Sequence, residues 1–307
     1  LITESVHPIG PELLTAAGHT VVYADRDMDI IRREIVDADA VLVRIIELPG
    51  SLLATAKNLK IVSKHGVGYD NIDLDYCKSH GIAVTITPNA NSLSVAEHAF
   101  TLMLTLAKNI IPVSNEYRTV GFAPKNHAPG IEMTGKTLGL IGMGRIGKHI
   151  LHMCRDGLDM HVIVYDPYIS EVPEGVEKVD DLSELLRRAD VVTLHCLLTD
   201  ETRKLIDRER LALMKPTALL INCARGPIVD EAALIEALEN GRLAGAGLDV
   251  TDPEPVAPDS PLFKLPNVIV TPHYAPTTVE SATRVSKIAA ENINAVLAGQ
   301  EPVGRIV

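Results

Sequence analysis

No run of lysine or arginine occurs in this 307-residue chain, whose 29 basic and 40 acidic side chains leave a formal charge of −11. Binding to a nucleic-acid backbone needs a concentrated cationic face, so nucleic acid is excluded as an expected partner. No apolar stretch approaches the roughly 20 residues that span a bilayer. The opening LITESVHPIGPELL also lacks the basic n-region of a secretory leader, so neither a membrane partner nor a targeting segment is expected. Cysteine is sparse as well. Cys77, Cys154, Cys196 and Cys223 form no CxxC pair or framework spacing and mostly lie in apolar stretches, which reads as reduced core thiols of a cytoplasmic protein. Internal repeats and low-complexity tracts are missing. His149 and His152 share a helix face in KHILHM, but no third ligand is placed, so no metal site is expected.

What is present is alternation. At 46% apolar residues the chain can fill one large or two ordinary cores. The runs TVVYAD (20–25), AVLVR (40–44), KIVSKHG (60–66) and AVTIT (83–87) predict strands, with PELLTAAGH, DIIRREIVDA, SLLATAKN and LDYCKSHG as helices between them. From Ser94 to Ile111 the sequence is apolar almost all round, which predicts a helix buried on several faces at a junction or subunit interface. The alternation then restarts with TLGLIG (137–142), HVIVYD (161–166), VVTLHC (191–196), ALLINCAR (218–225), GAGLDV (245–250) and VIVTPH (268–273). Two α/β domains fit this pattern better than one. The Pro-rich stretch 251–266 reads as a long functional loop, and the acidic 171–181 as a solvated connection.

Chemistry enters at LGLIGMGRIGKHI. Gly142, Gly144 and Gly147 form GxGxxG between a strand and a helix, allowing a tight turn, backbone approach to a pyrophosphate, and close helix–strand packing. The next strand ends at Asp166, nearly twenty residues on, where a carboxylate can accept both ribose hydroxyls of an adenosine. Asp166 is followed by Pro167 and Tyr168, with no cation to pair a 2′-phosphate, so the expected cofactor is NAD.

A nicotinamide enzyme needs a substrate anchor and a proton carrier, both at carboxyl ends of strands. Arg225 ends one such strand and His273 ends another, with Glu254 in the loop between them. An arginine can clamp a carboxylate, an imidazole can exchange a proton with an alcohol, and a glutamate can orient that imidazole. Singly, each is also compatible with a capping arginine, a solvated acid or an edge histidine. Arg44 and Lys64 end two adjacent strand runs and should face one cleft, where an anionic substrate tail would sit; the alternative is a pair of solvated edge cations. His195 in VVTLHC reads as a hydrogen-bonded strand histidine, and the methionines as packing residues.

Through KHGVGYDNIDLD, TPNANSLSVAEH, GKTLGLIGMGRIGK, LINCARGPIVDEAAL, GAGLDVTDPEP and VIVTPH, nearly the whole chain resembles the D-specific 2-hydroxyacid dehydrogenases, and among them most the phosphoglycerate dehydrogenases. The resemblance implies a Rossmann-type NAD-binding domain (93–275) and a discontinuous, flavodoxin-like substrate domain (1–92 and 276–307), usually dimeric. It implies that Arg225 binds the substrate carboxylate and carbonyl, that His273 is the general acid–base, and that Glu254 is its partner. Val67 and Gly68 would offer backbone N–H groups to the carboxylate, and Arg44 and Lys64 would meet a second anion such as phosphate, sulfonate or carboxylate. Arg145 and Ile146 would line the pyrophosphate, Cys196 the adenine side and Cys223 the nicotinamide side, with Asp249 at the carboxamide. Two departures concern pocket shape: YAPTT follows His273 where relatives are Gly-rich, and HCLLT lacks a common proline, leaving Tyr274 and Leu197 in those places. The chain stops at Val307 without the regulatory module of some phosphoglycerate dehydrogenases, so no serine feedback site is expected. Hydroxypyruvate or glyoxylate reduction remains open, as does an NAD(H)-sensing scaffold of the corepressor kind.

Overall fold

The alternation folds as two parallel α/β units, Leu1–Asn91 with Thr277–Val307, and Ser92–Pro276. The computed structural model describes every residue from Leu1 to Val307. In chain order the elements are α1 (Ile9–Ala16), α2 (Met28–Glu34), β1 (Ala40–Val43), α3 (Gly50–Leu53), β2 (Ile61–Lys64), α4 (Leu74–Ser79) and β3 (Ala83–Thr85). The second unit follows with α5 (Ser92–Ala107), α6 (Ile110–Val120), β4 (Thr137–Ile141), α7 (Arg145–Leu158), β5 (His161–Tyr165), β6 (Val176–Lys178) and α8 (Leu182–Arg188). It continues through β7 (Val191–Leu194), α9 (Arg208–Leu211), β8 (Leu219–Asn222), α10 (Glu231–Glu239), β9 (Gly245–Leu248) and β10 (Val268–Val270). The chain then returns to the first unit with α11 (Val279–Leu297). Side-chain oxygens of Asp27, Asp73, Asp181, Asp207, Asp230 and Thr278 accept backbone N–H groups at the starts of α2, α4, α8, α9, α10 and α11. Each relieves donors that a helix leaves unpaired.

In the first unit β1, β2 and β3 pair in parallel. Single bridges extend the sheet from Leu42 to Ile2 and on to Tyr23, and from Thr85 to an antiparallel Arg305. The order is thus that of a flavodoxin-like doubly wound sheet. The run 20–25 contributes only the bridge at Tyr23 rather than a full strand, and the neighbouring bridge at Ile2 had no sequence signal. Buried side chains line both faces, Val41, Val43, Val62 and Val84 on one and Leu42, Ile61 and Ala83 on the other. Residues of α11 cover the second face, where the Ser63 hydroxyl donates to Ala289 O at 2.9 Å.

The second unit is a seven-stranded parallel sheet in the order β10-β9-β8-β7-β4-β5-β6, a Rossmann arrangement continued by one further strand. Successive residues of one strand feed opposite cores: Leu219 and Ile221 pack on one side and Leu220 on the other. That two-sided burial is why these strands read as continuous apolar runs. Two expectations are corrected. The apolar run from Ser94 is not one helix, because α5 ends at Ala107 and Asn109 takes a left-handed φ of 52° before α6 starts. Within 171–181, Val176–Lys178 forms the edge strand β6. α5 buries Val95, Ala96, Ala99, Leu102, Met103 and Ala107 in the core, whereas α6 buries nothing. No helix is long and apolar enough to cross a membrane.

Candidate active site

The ends of β8, β9 and β10 place three side chains named from the sequence within the second unit. Asn222, the last residue of β8, shapes the turn that follows: its Nδ2 donates to Arg225 O at 2.9 Å, and its Oδ1 accepts Ala224 N–H at 3.0 Å. Arg225, three residues beyond the strand, donates from Nη1 to Ala224 O at 2.8 Å. Gly226 lies so close to the next loop that a Cβ there would sit 1.9 Å from Thr251 O. The arginine turn and the loop carrying Glu254 are therefore packed backbone to backbone. Asp252 N–H also donates to Glu231 on α10 at 3.0 Å, which fixes the loop from its other side. His273 Nδ1 and Glu254 Oε1 are 2.6 Å apart, each side chain about one-third exposed (34% and 39%). With Nδ1 held by a carboxylate, Nε2 is the nitrogen left to meet a substrate.

The glycine loop fits a dinucleotide by three observations. Gly142 has φ +90°, and a Cβ would meet His195 O and Cys196 N at 2.8 and 2.7 Å. A Cβ on Gly147 would lie 2.3 Å from Gly142 O, so the start of α7 is pressed onto the loop. Gly144, by contrast, faces open space, with no atom within 4 Å of an added Cβ. Gly144 is the N-cap of α7, and no side chain caps the helix, so Arg145 and Ile146 follow with the donors that a pyrophosphate would accept. Asp166 accepts Met143 N–H at 2.9 Å and Tyr168 N–H at 3.0 Å, one on each oxygen. A carboxylate has about four acceptor positions, so capacity remains for ribose hydroxyls. Burial pushes the Cys196 thiol up to about 11, with the charge of Asp166 adding to it, and burial likewise raises that of Cys223. Both act as shape rather than as nucleophiles. His195 bonds Thr193 Oγ1 at 2.8 Å, and burial holds its imidazole down at about 3.

In the first unit, Val67 and Gly68 follow β2, and neither N–H is spent on a hydrogen bond within that unit. Arg44 follows β1 and Lys64 ends β2. Lys64 is only 7% exposed, and its ammonium donates to Arg44 O and to Asn71 Oδ1, the latter at 2.5 Å. These two bonds brace the turn after β1. Arg44 is half-exposed and donates from Nη1 to Ser5 O at 2.8 Å. Beneath it, Glu4 accepts the N–H groups of Arg44, Ile45 and Ile46 at 2.8, 2.6 and 2.9 Å. Burial opposes ionisation of Glu4, but the Thr3 hydroxyl and these three donors outweigh it and hold its carboxyl below the usual range.

The family model for the D-isomer specific 2-hydroxyacid dehydrogenase NAD-binding domain matches residues 100–275. This chain belongs to the D-isomer-specific 2-hydroxyacid dehydrogenase family. It is 42% identical over 304 residues to D-3-phosphoglycerate dehydrogenase of Methanocaldococcus jannaschii, covering 98% of this chain and 57% of that protein. Glyoxylate reductase of Thermofilum pendens is 38% identical over 316 residues, covering 98% and 92% of the two chains. The structure of Aquifex aeolicus D-lactate dehydrogenase, solved with NAD and lactic acid, matches with a TM-score of 0.88 at 32% identity, covering 97% and 95%. The chain spans about half the length of several phosphoglycerate dehydrogenases it resembles.

Asp249, expected at the nicotinamide carboxamide, directly follows β9. It is 1% exposed. Its carboxylate accepts the Thr271 hydroxyl at 2.6 Å and the N–H groups of Tyr274 and Ala275 at 2.7 and 2.9 Å. Its first task is to hold the turn that bears His273. Sequence reasoning missed Asn222, Thr271, Asn71, Glu4 and His98. Thr271, Glu4, Asn71 and His98 act through partners that folding brings near, so no local motif marks them, whereas Asn222 acts on the turn two and three residues ahead.

Proposed function

We propose that this chain is an NAD-dependent D-2-hydroxyacid dehydrogenase, exchanging a hydride between nicotinamide and C2 of a small 2-hydroxy or 2-oxo acid. The observation that carries the reading is the 2.6 Å His273–Glu254 pair, set in the same unit as the glycine cradle and the Arg225 turn. NAD, when bound, supplies the two-electron acceptor. Arg225 anchors the carboxylate and polarises the C2 oxygen, with Val67 and Gly68 N–H groups as further carboxylate donors. His273 Nε2 removes the hydroxyl proton in oxidation and returns it in reduction, while Glu254 fixes the ring through Nδ1. Asp166 takes the ribose diol and disfavours a 2′-phosphate, so NAD is the cofactor used.

The acid carries a second anionic group, phosphate, sulfonate or carboxylate, which Arg44 and Lys64 meet, Lys64 also bracing the turn at Arg44. Hydroxypyruvate or glyoxylate reduction is the description if that group proves dispensable. The protein works in the cytoplasm as a homodimer and binds neither nucleic acid nor membrane. Support for the dimer is the uncovered apolar surface of α6 and its continuation, where Ile110, Ile111, Tyr117, Val120 and Phe122 are all exposed.

The test is NADH absorbance with glyoxylate, hydroxypyruvate and three-carbon 2-oxo acids bearing phosphate, sulfonate or carboxylate. His273→Ala should lose several orders of magnitude in kcat while still binding NADH. Arg44→Ala should lower kcat/KM about 10- to 100-fold for the tailed acid and leave glyoxylate nearly unchanged. Tight NADH binding with no turnover on any of these acids would replace the enzyme by an NAD(H)-responsive scaffold.

A further inference from the structure

His273 has a left-handed backbone, φ 52°, which an L-residue adopts only when its surroundings hold it there. The holding point is Asp249. Its carbonyl accepts His273 N–H at 2.8 Å, and its carboxylate accepts the next two N–H groups, those of Tyr274 and Ala275. Where His273 stands therefore depends on where the Asp249 carboxylate stands. That carboxylate is almost fully buried and is steered by the Thr271 hydroxyl at 2.6 Å.

The chain of bonds continues one step further. His98, on α5, has its Nε2 3.0 Å from Thr271 Oγ1 and 3.4 Å from Asp249 Oδ1. A hydroxyl has one hydrogen, and here it goes to a carboxylate that can only accept, so the hydroxyl oxygen must accept from His98. His98 is therefore in the Nε2–H form. Its ring also meets Tyr274 edge to face, centroids 6.3 Å apart.

Resting on the function proposed above, we propose that His98 is a positioning residue. The relay His98 Nε2–H to Thr271 Oγ1–H to Asp249 anchors the His273 turn to α5 and so sets the reach of the acid–base imidazole. Its contribution falls on the chemical step, because the relay touches neither the glycine cradle nor Arg225.

The measurements are kcat, KM and NADH affinity with glyoxylate for His98→Gln, His98→Asn, His98→Phe, Thr271→Val and Thr271→Ser, each checked for folding by circular dichroism. A glutamine amide reaches the place of Nε2, whereas an asparagine amide falls short. His98→Phe, His98→Asn and Thr271→Val should lower kcat about 10- to 100-fold, with KM and NADH affinity within threefold. His98→Gln and Thr271→Ser should restore kcat to within about threefold of the unaltered protein. The glutamine–asparagine pair, alike in polarity, decides the matter even if His98→Phe does not fold. Unchanged kcat in His98→Asn, no rescue by glutamine, or a loss confined to KM would overturn the proposal. Long-range ¹H–¹⁵N spectra of the His98 ring give a reading independent of turnover: an Nδ1–H tautomer refutes the relay, and an Nε2–H tautomer supports it. A protein inactive on every 2-oxo acid yet showing the Nε2–H form would refute the dehydrogenase reading and leave the relay standing.

Discussion

Replacing Gly226 by alanine tests whether the arginine turn and the glutamate loop are one mechanical object. A Cβ at 226 would lie 1.9 Å from Thr251 O and 2.2 Å from Thr251 C, where ordinary contact begins near 3.4 Å. The loop must therefore retreat by about 1.5 Å. Gly226 does not use a left-handed φ, so the substitution brings no backbone strain of its own and the effect is steric alone. Three residues on, Glu254 is 2.6 Å from His273 Nδ1, and a shift of that size breaks the bond. A misplacement of about 1 Å in a catalytic constellation costs on the order of 100-fold in rate, so kcat with NADH and glyoxylate should fall by about that factor. Overpacking of this kind also costs about 1–3 kcal/mol, which for a unit of this size lowers Tm by roughly 2–12 °C. The assay combines steady-state NADH absorbance, NADH binding by fluorescence and differential scanning calorimetry. NADH affinity should hold within about threefold, because the glycine cradle lies elsewhere. Full kcat with a Tm unchanged by the substitution would refute the coupling.

Three further outcomes are expected. Asp166→Ala should shrink the preference for NADH over NADPH from about 100-fold toward parity and raise KM for NADH, since the Met143 N–H loses its acceptor as well; equal use of both cofactors before substitution would show that the acid points elsewhere. Burial, with the charge of Arg44 second, holds His65 at about 4, and burial holds His195 at about 3. Both lie below the unfolded value of 6.5, so their stability contribution is intact above pH 6.5 and is lost as pH falls below it. Each should cost about 2 kcal/mol at pH 5, and urea unfolding of a His65→Asn/His195→Asn protein should show a flatter loss between pH 7 and 5; an unaltered slope would exclude both groups. Burial pushes Cys77 and Cys196 to about 11 and Cys154 to about 12, so at pH 8 a chromogenic disulfide should label the native protein slowly and all four cysteines rapidly in urea. Rapid native labelling of Cys77 or Cys154 would contradict their burial.

The parts of the fold legible in sequence were those whose signal is local. Strand β4, the glycine turn, α7 and β5 occupy one continuous stretch, and two-sided burial writes each inner strand as an unbroken apolar run. Where the physics is tertiary the signal faded. β6 is an edge strand of three residues, Val-Glu-Lys, and a half-solvated edge needs no apolar run. The break between α5 and α6 is hidden because apolar residues continue through it; only Asn109, of a type that tolerates the left-handed region, marks the spot. The bonds of Lys64 to the Arg44 carbonyl after β1 and to the loop Asn71 have no sequence signal, because folding and not spacing fixes them. His98 and Thr271 are 173 residues apart, and no pattern joins them before the units form.

Because the first unit is assembled from both ends of the sequence, its folding has an order imposed by synthesis. Ser63 on β2 meets Ala289 on α11 across 226 residues, and Ala289, Ala290 and Ile293 complete the core on that face of the sheet. While a ribosome is still making the second unit, the strands of the first lack their cover on that side. The continuous stretch Ser92–Pro276 can close on itself first, and the first 91 residues must wait with apolar strand faces exposed. A nascent chain halted before α11 is therefore the form of this protein most prone to aggregate and most dependent on chaperones.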